Sequence, residues 1–227
     1  MIDRITPLLL YIGLVWGQDD PNPERFEKSP QGDRASIGSF IQWDKKNSVP
    51  QDPIVFVGSS SIRKWPTAEY FPDLPIINRG FGGSHISDVN YYVYETVLKY
   101  KPKIIVFYAG DNDIAGGKSP EQVLNDYKRF IGLIHSNLSN TQVIFIPIKP
   151  SLRRWTLWPE MRKTNKLIHT YSNQHPLLHY VDTATPMLGN DSVPRSSLFV
   201  NDSLHLSIEG YDLWSELLGT VLKNVSR

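Results

Sequence analysis

"IVFVGSSS", residues 54 to 61, decides how this chain is read. Four apolar residues, three of them β-branched, run without polar alternation into a glycine and then into three consecutive serines. An apolar run of that length suits a strand buried on both faces of a parallel sheet. The serines then fall in the loop at the strand's carboxyl end. Read plainly, they are a turn and a helix N-cap, with Ser59 or Ser60 capping a helical turn through Ile62 and Arg63. Read chemically, one of them is a nucleophile. Both can hold, because one serine can cap while another reacts.

Runs of the same kind recur at residues 75 to 78, 104 to 108, 143 to 148 and 180 to 182. Between them lie helical patterns. The clearest covers residues 119 to 138, with Ser119 at the N-cap, Pro120 at N1 and Gln122 at N3, and with Val123, Tyr127, Phe130, Ile131, Ile134 and Leu138 on one face. Others cover residues 87 to 100, 158 to 173 and 207 to the end, and one short helix is expected over residues 35 to 46. Their apolar stripes are read as core. Five alternations of strand and helix predict an α/β fold, a three-layer α/β/α sandwich on a five-stranded parallel sheet with right-handed crossovers. In such sheets the ligand lies beyond the carboxyl ends of the strands.

Composition narrows the function classes. The chain has 227 residues, 40% of them hydrophobic, and a formal net charge of +1, which suits one domain with a real core and provides no basic surface for nucleic acid. There are no cysteines, so disulfides, a thiol nucleophile and thiolate metal sites are excluded. Residues 1–17 carry a short charged start and the apolar run 5–17, ending in a small residue at Gly17. They are expected to be a secretory signal peptide of a secreted or periplasmic protein, with no membrane span in the mature form. The alternative is a segment retained as a membrane anchor. Residues 18–53 are expected to be a polar, proline-dotted lead-in packed on the domain, and residues 54–227 the domain itself.

The strand ends supply the parts of a hydrolase. Gly58 to Ser61 follow the first strand, "NRGFGGSH" (78 to 85) the second and "GDND" (110 to 113) the third, while "NDSLH" (201 to 205) precedes the last helix. A hydroxyl becomes a useful nucleophile only when an adjacent base takes its proton, and His205 can be that base. Asp202, three residues earlier, is placed to orient it. Backbone amides near Gly83 and the carboxamide of Asn112 can hold the negative oxygen of an attacked carbonyl. Asp182, at the end of the fifth strand, is a rival carboxylate with no fixed spacing to the histidine.

With these four blocks in this order, residues 50 to 222 resemble the SGNH, or GDSL-type, serine esterases and lipases. Within that family they look most like the small single-domain branch related to platelet-activating-factor acetylhydrolases. The resemblance implies a flavodoxin-like SGNH hydrolase fold. It also implies Ser60 as nucleophile, His205 as base, Asp202 as its orienter, and Ser60, Gly83 and Asn112 as oxyanion donors. Ser59 then stands where relatives carry aspartate. No Gly-x-Ser-x-Gly elbow is present.

Asp111 and Asp113 flank Asn112 and are expected to fix its loop by hydrogen bonds; no metal and no cofactor is expected. His85 beside the glycine loop, and Arg153, Trp155 and Trp158 in "KPSLRRWTLW" (149 to 158), are candidate substrate contacts, and the competing reading of the last three is helix anchoring and solvated charge. The expected function is hydrolysis of short, acetyl-like acyl esters of a carbohydrate, lipid or other alcohol through an acyl-enzyme. The alternatives are a carbohydrate- or lipid-binding protein of the same fold and an O-acyltransferase using the same triad. The expected partner is a small-molecule or glycan ester, and oligomeric state is left open.

Overall fold

A computed structural model describes residues 20–27 and 37–225. The signal-peptide expectation for residues 1–17 lies outside them, as do residues 28–36 of the lead-in. Five parallel strands, β1 (Ile54–Gly58), β2 (Ile76–Gly80), β3 (Ile104–Tyr108), β4 (Gln142–Phe145) and β5 (Leu178–Tyr180), form one sheet in the order β2-β1-β3-β4-β5. This is the flavodoxin-like order, and β1 lies between β2 and β3. Helices cover both faces, giving the three-layer α/β/α architecture.

The continuous apolar runs are explained by this double cover. Val55 and Val57 of β1 join Ile105, Phe107, Val143 and Phe145 in one core cluster, with Val123, Tyr127, Phe130 and Ile134 of the Pro120–Asn137 helix. Ile54 and Phe56 point the other way, joining Ile104, Val106, Ile144 and the Trp214 and Leu218 side chains of the Ile208–Val225 helix. Strand periodicity of two therefore feeds two cores, and in the inner strands β1 and β3 every position is buried and none is charged. Phe26, Ile37 and Phe40 of the lead-in belong to the first cluster.

Several boundaries differ from the sequence reading, each for a local reason. The capping box is as expected, Gln122 N donating to Ser119 Oγ and Ser119 N to Gln122 Oε1. The helix expected over residues 87 to 100 is instead three short pieces, Ile86–Tyr91, Val93–Thr96 and Leu98–Tyr100. Valine and threonine crowd this segment, and the Thr96 hydroxyl donates to the Tyr92 carbonyl at 2.7 Å, a back-bond that bends helices. β4 stops at Phe145, short of residue 148, because Pro147 and Pro150 cannot extend a ladder. β5 starts two residues early, and Asp182 lies past its end, accepting from the amides of Ala184 and Thr185. That removes the rival carboxylate from the histidine. Among the described residues no helix is long and apolar enough to cross a membrane.

Candidate active site

The end of β1 is tied to the end of β3. Gly58 has φ of +136°, and a side chain there would meet the Tyr108 carbonyl oxygen at 1.8 Å, so only glycine fits. The same carbonyl accepts from Ser59 N at 2.9 Å. Ser60 then opens the short Ser60–Arg63 helix. That turn is braced from below by Asn78 Nδ2 donating to the Ile62 carbonyl at 2.8 Å and by the Tyr211 hydroxyl donating to the Ser61 carbonyl at 2.9 Å. Ser59 is buried beneath it.

His205 reaches Ser60 from the far end of the chain. Its Nε2 lies 3.0 Å from Ser60 Oγ, and its Nδ1 2.5 Å from Asp202 Oδ2. A carboxylate only accepts, so Nδ1 carries the proton in the neutral ring and Nε2 is free to accept from the hydroxyl. The spacing of three residues is explained by the turn itself. Asp202 Oδ1 accepts from the amides of both Leu204 and His205 at 2.9 Å, leaving Oδ2 for the imidazole. Burial would raise the pKa of Asp202, but the His205 ring and the two amides outweigh it and hold the carboxyl well below its usual range.

The remaining pocket residues come from the loops after β2 and β3. Gly83 adopts φ of +82°, a conformation that favours glycine, and the space where a side chain would stand is open. Asn112 lies in the Asp111–Ala115 helix, with its Nδ2 donating to the Ser84 carbonyl at 3.1 Å. Its Oδ1 accepts from Arg154 Nη1 and Nη2 at 3.2 and 3.1 Å. Ser60, His205, Gly82, Gly83, Asn112 and Leu204, with Arg63 and Lys64, line one pocket of about 210 Å³.

The two aspartates beside Asn112 do fix its loop, in opposite electrostatic settings. Asp111 accepts from Lys149 Nζ at 2.9 Å, from the Tyr108 hydroxyl at 3.2 Å and from Arg154. Burial would raise its pKa, but Lys149 and Arg154 prevail and lower it. Asp113 accepts from Ile86 N at 3.1 Å and lies 3.2 Å from Lys118 Nζ. Here burial prevails over Lys118, and the carboxyl is pushed up to about 6.

The structure thus brings Ser60, Gly83, Asn112, Asp202 and His205 together. It does not bring the four candidate substrate contacts to that pocket. His85 sits 3.7 Å from Asp113, its ring against Gly116, with burial lowering its pKa. Arg153 is exposed and uses its amide to bond the Ser203 carbonyl. Trp155 and Trp158 stack on each other at 6.1 Å, and Trp158 borders a separate cleft with Arg162, Tyr180 and Asp182. The residues that sequence reasoning missed are Arg154 and Lys149. Nothing in "LRRW" distinguishes Arg154 from Arg153; the choice is made by the non-helical backbone of Arg154, φ −119° and ψ 26°. Among the described residues no three histidine, aspartate or glutamate side chains form a metal-binding group.

Several solved structures share the fold. A candidate platelet activating factor from Streptococcus pneumonia aligns at 20% identity and a TM-score of 0.74 over 82% of this chain and 91% of its own. A GDSL-like lipase from Bacteroides thetaiotaomicron aligns at 20% identity and 0.71 over 83% and 97%. The acetylxylan esterase Axe2 from Geobacillus stearothermophilus aligns at 13% identity and 0.61 over 78% and 95%. No curated protein matches the sequence. The family model of the GDSL-like lipases and acylhydrolases matches residues 59–213, about two thirds of the chain, a span that runs from the serine cluster past the Asp202–His205 turn. The chain belongs to the GDSL-like lipase/acylhydrolase family and is a carboxylic ester hydrolase.

Proposed function

We propose that the protein removes short acyl groups, acetyl above all, from a carbohydrate or lipid alcohol through a covalent acyl-enzyme on Ser60. One observation carries this reading: Ser60 Oγ, His205 Nε2 and Asp202 are in hydrogen-bonded series at a pocket that Gly83 and Asn112 also line. Ser60 Oγ attacks the ester carbonyl while His205 Nε2 takes its proton. The carbonyl oxygen gains the negative charge and is met by the amides of Ser60 and Gly83 and by Asn112 Nδ2. The tetrahedral species expels the alkoxide, which leaves as the alcohol with the proton from His205. Water then attacks the acyl-serine with His205 again taking a proton, and the acid departs as Oγ is reprotonated. Asp202 keeps the ring in the required tautomer throughout.

The small pocket supports a short acyl chain, and the acetylxylan esterase among the structural relatives supports an acetylated glycan as one substrate class. The test is hydrolysis of p-nitrophenyl acetate, with a fluorophosphonate probe to label the nucleophile. Ser60→Ala is expected to abolish labelling and to lower kcat by 10⁴-fold or more, on the order seen when a serine nucleophile is removed. Unchanged turnover in that variant would sink the assignment. The same reading takes residues 1–17 as a secretory leader, supported by the apolar run 5–17 alone. Amino-terminal sequencing of protein recovered outside the cell should then begin at residue 18; a chain starting at Met1 would refute it.

A further inference from the structure

We infer that Arg154 is a positioning residue for the oxyanion hole: its guanidinium locks the Asn112 carboxamide with the nitrogen, not the oxygen, toward the reacting carbonyl. The inference rests on the reading of Asn112 as an oxyanion donor. A carboxamide has two nearly isosteric orientations, and only one presents N–H to the pocket. The choice is made from both sides. Arg154 offers five N–H donors and no acceptor, so the atom facing its Nη1 and Nη2 at 3.2 and 3.1 Å must be Oδ1. The Ser84 carbonyl only accepts, so the atom facing it at 3.1 Å must be Nδ2. The flipped amide would set N–H against guanidinium and oxygen against carbonyl, two repulsive contacts. In the observed orientation one hydrogen of Nδ2 serves Ser84, and the second is left for the substrate.

Arg154 is itself held from the interior. Its Nη1 also donates to Asp111 Oδ1, while Asp111 Oδ2 accepts from Lys149 Nζ and Tyr108 Oη. Asp111 and Lys149 are 4% and 1% exposed, so this anchor is shielded from water and weakly screened. A chain Lys149–Asp111–Arg154–Asn112 therefore runs from the core to the pocket wall. Donation into Oδ1 also polarises the amide and makes its remaining N–H a better donor. A lysine ammonium in place of the guanidinium would keep the charge that Asp111 pairs with, but it lacks the planar fork that spans both acceptors.

The experiment is a double-mutant cycle on p-nitrophenyl acetate with Arg154→Met, Arg154→Lys and Asn112→Ala. Each Arg154 variant is expected to lower kcat roughly tenfold to a hundredfold, the penalty of a misplaced group, with KM changed by less than about threefold. Asn112→Ala alone should cost about 10²- to 10³-fold in kcat, as for loss of one oxyanion donor. In the Asn112→Ala background neither Arg154 change should cost more. Equal losses in both backgrounds would overturn the inference, as would full activity in Arg154→Lys, which preserves the ion pair with Asp111 and so keeps the test valid should Arg154→Met fold poorly. If Asn112→Ala alone leaves kcat intact, the oxyanion assignment itself falls, an outcome distinct from additivity.

Discussion

The two halves of the proposed site are built in contrasting ways. On the side proposed to handle protons, Asp202 and His205 are three residues apart, and their side chains are 46% and 20% exposed. On the proposed oxyanion side, the side chains of Asp111 and Lys149 are 5% and 2% exposed, and the contacts to Asn112 come from Ser84 and Arg154, 28 and 42 residues away. A local, solvated turn is enough to present a histidine in the proposed role of base. Charge that develops on an oxygen in the transition state is better met by donors that are already fixed, since a preorganised donor pays no reorganisation cost at that moment. The proposed base is thus carried on a surface turn, whereas the proposed oxyanion wall, itself partly exposed at Gly83 and Arg154, is anchored in the core through Asp111 and Lys149.

The sharpest way to break this contrast is to remove one member from each half and read activity and stability together. His205→Ala should lower kcat on p-nitrophenyl acetate by on the order of 10⁴-fold while leaving the melting temperature within about 2 °C, since it empties an exposed turn. Lys149→Met should do the reverse in kind. It strands Asp111 as a buried, partly paired charge, at a cost of about 3–5 kcal/mol and a fall in Tm on the order of 10 °C by thermal unfolding. A Lys149→Met protein as stable as the parent would dissolve the comparison.

The smallest effect concerns pH. The folded pKa of Asp113 is about 6 against an ordinary 3.8, so between those values the native state holds a proton that the unfolded state has lost. Its contribution to stability is then full below pH 3.8 and is lost as pH rises through 6. Asp113→Asn, which keeps the neutral form at every pH, should gain on the parent as pH rises from 4 to 7 in chemical denaturation. A difference between the two proteins that does not vary over that range would show that burial does not dominate at this carboxylate. Asp111 has the opposite sign: its lowered pKa contributes stability above the unfolded value that fades only as pH falls below it.

The same contrast explains what could be read in the sequence. Asp202 and His205 are legible because one Asx-type turn fixes their spacing, and Ser60, Gly83 and Asn112 because each stands at a strand end in a short motif. The sheet was legible because both its faces are covered and its strands read as unbroken apolar runs. Lys149 and Arg154 were hidden. Their partners are set by how the loop after β4 folds over the helix that follows β3, and no spacing rule spans that distance. His85 looked like a pocket residue from its place beside the glycines, but its ring packs against Gly116 and faces Asp113. The break at Tyr92 and Val97 likewise depends on β-branched crowding that an apolar stripe conceals.

One peptide carbonyl gives the site its scale. Tyr108 O receives the Ser59 amide and closes against the bare Cα of Gly58, so the loop carrying Ser60 and the loop carrying Asn112 are both measured from a single fixed point at the centre of the sheet. β5 is three residues long and lies at the sheet edge, two strands away. Its amides are expected to open to solvent in hydrogen exchange before those of β1, which lies inside the sheet beside the Ser60 loop.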